Sequence, residues 1–471
     1  MPNHQTDTPA KVAAPATGLN AIVALIVAGT GFMENLDGTV IAPVLPDMAR
    51  DFAVHPVDLS IGISAYMLTL GVFIPISGWI ADRFGAKRVF TAAIAIFTIA
   101  SLLCGTAGSL TAFVALRVLQ GIGGAMMVPV GRLVVLRVTP KEKLFEAIAF
   151  LTWPALIALA LGPPLGGLIA DHADWRWIFY LNVPLGIIAI ALAWWKIPNV
   201  TGAPRPFDSV GFVLTGVSLF TLLAAAELLG RANINWLYVG LCAVVGFGLG
   251  IVAVRHLLRC PYPLIGLKAL RTQTFAVTVW GGSLFKLSLS AVPLLLPLMF
   301  QLAFGFSSFD AGMMMMAIFI GNLVMKPGTT YVLRRFGFRN VLIFNGLINA
   351  VSIGACALFA PGLPVMLMAA VLFIGGMSRS MQYTAYNTLA YIDVPQSEMN
   401  AANTLTSVAN QLGTGLGVAL GAICWRIGRA VSSGEEMSFR IAFALVAVVM
   451  VAAVWDSLTL PRNAGSHLAR R

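Results

Sequence analysis

Long apolar runs, separated by short polar intervals, dominate the chain from residue 19 to residue 460. A helix that crosses a bilayer needs about 20 mostly apolar residues. That rule predicts fourteen spans, at 19–42, 57–81, 89–108, 110–136, 144–170, 176–196, 208–229, 235–257, 272–302, 310–333, 338–360, 363–391, 401–425 and 439–460. The stretches 272–302 and 363–391 exceed one bilayer width, so tilting, or kinking at Pro293 and Pro297, is expected. Residues 1–18 and 461–471 are polar and read as tails. The apolar run after residue 18 is too long for a cleaved signal peptide and reads as the first span.

Composition agrees with this pattern. The chain has 471 residues, 58% hydrophobic and 10% charged, where a soluble domain carries roughly 25% charged residues. A water-facing surface would need more charge; a lipid-facing one would not. The expected fold class is therefore an all-α membrane protein. The formal charge of +11 is explained by where the positive residues sit. With both termini cytoplasmic, 19 of the 30 Lys and Arg fall in inside segments, 6 fall outside and 5 lie within helices. This positive-inside bias accounts for the charge without nucleic acid. One loop, near Asp393 and Glu398, disagrees because it is acidic and inside. The five cysteines (Cys104, Cys242, Cys260, Cys356, Cys424) and five histidines are scattered without metal-ligand spacing, so packing cysteines and no metal are expected. There is no G-x-x-x-x-G-K-[ST] loop, and the longest loops hold only about a dozen residues. Direct ATP drive, a soluble catalytic domain, enzymatic activity and a cofactor are all unexpected.

An internal repeat organises the chain. DRFGAKRVF (82–90) recurs weakly as RRFGFRNVL (334–342), and LGPPLGGLIA (161–170) as LGTGLGVALG (412–421), at offsets of 252 and 251. Two matches at nearly one offset predict six-helix halves at 19–200 and 263–460, with two inserted helices at 201–262. Parallel six-helix halves are the arrangement of major facilitator transporters.

Several motifs carry a resemblance to that superfamily. GWIADRFGAKRVF (78–90) resembles its signature loop between helices 2 and 3. LRVLQGIGGA (116–125) resembles its helix-4 motif with an intramembrane arginine, and LGPPLGG (161–167) its antiporter motif on helix 5, although Ala158 stands where glycine is usual. LDGTVIAPVLP (36–46) and PLIGLKALRTQTF (263–275) are similar to segments of the fourteen-helix drug:proton antiporters of the EmrB/QacA type. The resemblance implies a proton-coupled antiporter that exports small molecules, with multidrug efflux as its activity and alternating access as its mechanism. It also implies an inner (plasma) membrane location, with a lipid bilayer, a small-molecule substrate and protons as partners; oligomeric state does not follow from the sequence, and a monomer is one possibility.

The same residues have physical readings. Gly78 and Gly85 permit close helix approach and a tight turn. Asp82, with Arg83, Lys87 and Arg88 nearby, forms a cluster able to gate the cytoplasmic face through charge pairs; plain positive-inside anchoring is the alternative. Gly162, Gly166 and Gly167 suit close packing, and Pro163 and Pro164 suit a bend. Intramembrane charges are costly and point to function. Glu34 and Asp37 lie three residues apart on one face of the first helix, and two such carboxylates in a low dielectric do not both ionise easily. One of them is a candidate proton carrier, and Asp37 matches the family's helix-1 acid. Arg117 matches the family's arginine, implied to assist coupling, and also suits a buried partner for a helix-1 acid. Lys286 lies one repeat offset from Glu34, so the two would face each other. Arg379, Gln382, Tyr383, Tyr386 and Asn387 share the twelfth helix and, with Lys286, are the expected cavity residues. Lys326 and Arg132 read as snorkelling toward the cytoplasm. The second half thus has a basic set and no mid-membrane acid, which favours an anionic substrate such as a carboxylate or metal–citrate chelate as the alternative to a drug. A non-transporting membrane sensor is the remaining possibility.

Overall fold

A computed structural model describes residues 21–41, 44–54, 59–140, 143–198, 201–202, 206–230, 234–306, 308–432 and 434–461. The expected tails lie outside these residues, apart from Pro461. Fourteen long helices follow one another: α1 (Ala21–Val40), α2 (Ile61–Phe84), α3 (Ala86–Gly105), α4 (Leu110–Val138), α5 (Leu144–His172), α6 (Trp177–Lys196), α7 (Ser209–Gly230), α8 (Trp236–Arg259), α9 (Gln273–Ala303), α10 (Ser308–Phe336), α11 (Phe338–Cys356), α12 (Val365–Ile392), α13 (Met399–Val431) and α14 (Glu435–Ser457). Twelve of them are long and apolar enough to cross a membrane. The other two are α1, which carries Glu34 and Asp37, and α5, whose described apolar stretch is shorter. Every expected span is therefore a helix. A short helix, Leu45–Phe52, joins α1 to α2; hydropathy gave no sign of it.

The prolines have the effects expected of a missing backbone donor. Pro75 sits in a 3-10 turn, Ile74–Ile76, inside α2. After Pro297, α9 changes to a π-helical turn over Met299–Ala303.

The repeat is visible atom by atom. Gly85 ends α2 at φ 91°, and Gly337, 252 residues later, ends α10 at φ 75°. Both positive φ values favour glycine. The Gly85 amide donates to Ala81 O at 3.0 Å, and the Gly337 amide to Leu333 O at 3.0 Å. The next turns also match: Val89 N to Gly85 O at 3.1 Å, and Val341 N to Gly337 O at 3.2 Å. Helix pairing repeats as well. In the first half α1 packs on α5, α2 on α4 and α3 on α6; in the second, α9 packs on α13, α10 on α12 and α11 on α14. Each half has its own apolar core, one around Phe90, Phe97 and Val130, the other around Phe285, Phe300 and Phe439. The molecule is two six-helix bundles plus an inserted pair. That pair, α7 and α8, packs on itself, while α7 also lies against α2 and α13, one from each half.

Candidate functional site

A cavity of about 230 Å³ lies between the halves, walled by α1, α4 and α5 on one side and α9, α10 and α12 on the other. Four basic side chains line it: Arg132, Lys286, Lys326 and Arg379. Among the described residues no aspartate or glutamate lines it. Lys326 is 3% exposed and donates to Thr384 Oγ1 at 2.9 Å. The Lys286 ammonium lies 5.2 Å from the centre of the Tyr383 ring, and Arg132 lies near enough to Tyr391 and Tyr383 to interact electrostatically with them. Snorkelling of Lys326 and Arg132 is thus corrected: both side chains turn into the seam and line the cavity.

Helical phase decides which α12 residues reach the cavity. Arg379, Tyr383, Asn387 and Tyr391 recur at every fourth position and line it together. Gln382 falls on another face, which corrects its placement in the cavity, whereas Tyr386 lines a second, smaller pocket with Lys286, Tyr383 and Asn387. Gln382 donates to Leu342 O at 3.1 Å and accepts from Asn345 at 2.9 Å, while the Tyr386 hydroxyl meets Ser457 Oγ at 3.2 Å. Trp280 is 65% exposed on the outer face.

The two α1 carboxylates have separate surroundings. Asp37 is buried and accepts from Arg117 Nη1 at 2.6 Å, Gln120 Nε2 at 2.8 Å and Asn182 Nδ2 at 3.3 Å. Arg117 is fully buried, donates to Gln120 Oε1 at 2.6 Å, and stacks on the Tyr66 ring at 4.4 Å. Gln120 lies one turn beyond Arg117, a spacing legible in the sequence; Asn182 had no such signal. Glu34 is near enough to Asp37, Tyr66 and Arg132 to interact electrostatically with them. Its Oε2 is buried without a hydrogen-bond partner among the described residues. Its neighbours Gly31 and Asn35 line the cavity. Lys286 lies over Tyr383 rather than pairing with Glu34.

At the basic end of the molecule, Asp82 joins three elements. It accepts from Arg137 Nη2 at 2.6 Å and from Asn400 Nδ2 at 2.5 Å, and its carbonyl accepts from the Gly202 amide at 3.1 Å. The expected partners within the loop, Arg83, Lys87 and Arg88, are replaced by Arg137 from the end of α4; Lys87 instead lies 5.1 Å from the Trp194 ring centre. Gly78 gives Asn400 and Thr404 room: an added Cβ would meet Asn400 Oδ1 at 2.6 Å, while Asn400 Nδ2 donates to Gly78 O at 2.9 Å. Asn403 Nδ2 adds a bond to Pro129 O at 2.9 Å, and Arg334 approaches Glu146 at 3.9 Å. Every one of these last contacts crosses between halves.

In the LGPPLGG segment, Gly162 is buried against Thr39 of α1, with no space for a side chain. Gly166 is buried and Pro164 is exposed; the surroundings of Pro163 and Gly167 lie outside the described residues. In the matching segment of α13, Gly413, the counterpart of Gly162, lies against the Lys286 side chain of α9, and Gly417 lies against Leu287 O.

Two charged clusters lie at helix ends. Asp51 accepts from Trp175 Nε1 at 2.9 Å and Arg176 Nη1 at 2.8 Å, and these bonds hold its carboxyl below the usual carboxylate value. Asp208, His256 and Cys260 bring their ligand atoms within 4.8 Å of one another. That corrects the reading of these residues as scattered: the α7–α8 hairpin brings distant positions together.

A cavity at the seam of two six-helix bundles defines a membrane transporter. The sequence profile of the Major Facilitator Superfamily matches residues 27–418 and 278–467. The chain belongs to that superfamily; it is a multi-pass membrane transporter of small molecules and not an enzyme. It is 38% identical over 400 residues to the "Putative multidrug resistance protein MdtD" of Pectobacterium carotovorum subsp. carotovorum (strain PC1), covering 84% of this chain and 85% of that one. It is 36% identical to the protein of the same name from Escherichia coli O6:H1 (strain CFT073), covering 84% of each. Among solved structures, the human organic anion transporter MFSD10 shares the fold at TM-score 0.68 and 14% identity, covering 93% of this chain and 99% of that one. The proton:xylose symporter XylE does so at TM-score 0.64 and 15% identity, covering 94% and 96%.

Proposed function

We propose that this protein is a proton-coupled antiporter that exports an organic anion by alternating access. The observation that carries the substrate class is the cavity lined by Arg132, Lys286, Lys326 and Arg379 without a carboxylate. A charge in the bilayer interior costs about 2.5–3.5 kcal/mol on insertion scales. Four of them cost on the order of 10 kcal/mol before mutual repulsion, which an anionic ligand would relieve. A cationic ligand would add repulsion of about 2 kcal/mol per positive neighbour, at roughly 7 Å and an effective dielectric near 20. Glu34 carries the proton, because its carboxyl has a free buried oxygen beside the cavity. Asp37 and Arg117 position α1 against α4 and α6. The halves 19–200 and 263–460 rock about the cavity, and residues 201–262 brace the seam. Gly78, Asp82, Arg137 and Asn400 form the gate at the cytoplasmic end, with Arg83, Lys87 and Arg88 anchoring that face. Gly162, Pro163, Pro164, Gly166 and Gly167 form the packing surface on which α5 moves with α1. Both tails are cytoplasmic, the membrane is the inner one, and the transporter acts as a monomer.

Multidrug efflux is the second reading, favoured by the names of the relatives and by the tyrosines in the cavity wall. Substrate-induced proton release separates the two. Purified protein in weak buffer is mixed with citrate or with ethidium, and Glu34→Gln serves as control. Release on adding citrate, lost in the variant, supports the anion reading. Release with ethidium alone overturns it in favour of drug efflux.

A further inference from the structure

We propose that Asp208, His256 and Cys260 form a binding site for one divalent transition-metal ion of the Zn2+ class, at the gate end of the inserted helix pair. Local structure accounts for the arrangement. His256 and Cys260 are four residues apart at the end of α8, and the Cys260 amide donates to His256 O at 2.8 Å. The helical turn therefore continues to Cys260 and places both side chains on one face. Asp208 directly precedes α7 and caps it, its Oδ1 accepting from the Gly211 amide at 2.7 Å. Packing of α7 on α8 then brings His256 Nε2 to 2.8 Å from Asp208 Oδ1.

The donor set selects the metal. A thiolate, an imidazole and a carboxylate suit Zn2+, and three protein ligands leave a fourth position open. The sulfur disfavours Mg2+ and Ca2+. Metal–ligand bonds of about 2.0–2.3 Å place tetrahedral donors roughly 3.3–3.8 Å apart, so the His256–Asp208 pair widens slightly and Cys260 closes in. Ligation through His256 Nε2 requires the imidazole proton to sit on Nδ1, and the thiol proton of Cys260 leaves to solvent. Access is provided: Asp208 and Cys260 line a cavity of about 460 Å³ that also touches Asp82 and Asn400. Asp208 Oδ2 accepts from the Leu264 amide at 3.2 Å, so a bound ion would tie α7, α8 and the segment leading into α9 together beside the gate. Without metal, the His256–Asp208 hydrogen bond alone would do part of this work, and Cys260 distinguishes the two cases.

The test uses the full chain in detergent, stripped with chelator and titrated with Co2+ as a spectroscopic stand-in for Zn2+. The expected result is one equivalent bound, with a thiolate-to-cobalt charge-transfer band that Zn2+ abolishes by displacement. Cys260→Ser should lose the charge-transfer band, His256→Ala should weaken binding at least about tenfold, and Cys242→Ser should behave as the unchanged chain. Absence of the band in the unchanged chain, or its survival in Cys260→Ser, overturns the proposal. No transport readout is involved, so this result stands apart from the anion reading.

Discussion

Replacing Asp37 with alanine removes the only carboxylate bonded to Arg117 among the described residues and leaves a fully buried guanidinium. Among the described residues its Nη2 has no hydrogen-bond partner even with Asp37 present. Breaking a buried ion pair by deleting one partner costs about 3–5 kcal/mol. Gln120 and Asn182 would also lose their acceptor, at about 0.6 kcal/mol each by the average for hydrogen bonds inside membranes. Asp37→Asn should cost less, since its amide oxygen still accepts from Gln120. The double variant Asp37→Asn/Arg117→Gln removes both charges and should recover most of the loss. Unfolding by sodium dodecyl sulfate, followed by tryptophan fluorescence in mixed micelles, measures these variants and the single Arg117→Gln, which completes the cycle. The expected coupling between positions 37 and 117 is at least about 2 kcal/mol. Additive losses, with coupling under about 0.5 kcal/mol, would refute the structural role of the pair.

Other consequences are separable. Lys286→Gln and Arg379→Gln should each weaken citrate binding by about tenfold or more, since hydrogen bonds to charged groups contribute about 1.5–3 kcal/mol; isothermal titration checks this. Asn400→Ala removes the bonds to Gly78 and Asp82 and should raise the rate at which a maleimide added from the cytoplasmic side labels a cysteine placed at Ala155 in the cavity wall. Asp51 is held below the ordinary carboxylate value by its bonds to Trp175 and Arg176. Its stabilisation is complete above about pH 4 and is lost as pH falls through the lowered folded value. Asp51→Asn should therefore flatten the acid limb of thermal stability, modestly because the side chain is 43% exposed.

The helices were legible because a bilayer imposes length and apolarity on each span. The repeat was legible because Gly85 and Gly337 must both adopt positive φ, which preserved a readable motif across the duplication. Partners across space were not. Nothing in the local sequence links Asp82 to Arg137 and Asn400, because those contacts depend on how three helix ends meet. Cavity membership on α12 was half legible. A four-residue stride from Arg379 picks out Tyr383, Asn387 and Tyr391, whereas neighbourhood alone had added Gln382; Tyr386 lines the smaller pocket beside it. That Lys326 and Arg132 turn into the cavity was not legible, since hydropathy limits locate helix ends but not the seam between halves. The Asp208–His256–Cys260 cluster was hidden by the sequence separation of 48 between its first two members.

The most direct test of the central claim is flux in proteoliposomes of the purified protein under an imposed proton gradient. The account predicts gradient-driven citrate transport that Glu34→Gln abolishes and that ethidium neither replaces nor inhibits. Gradient-driven ethidium transport without citrate transport, or citrate flux unchanged in Glu34→Gln, would contradict it.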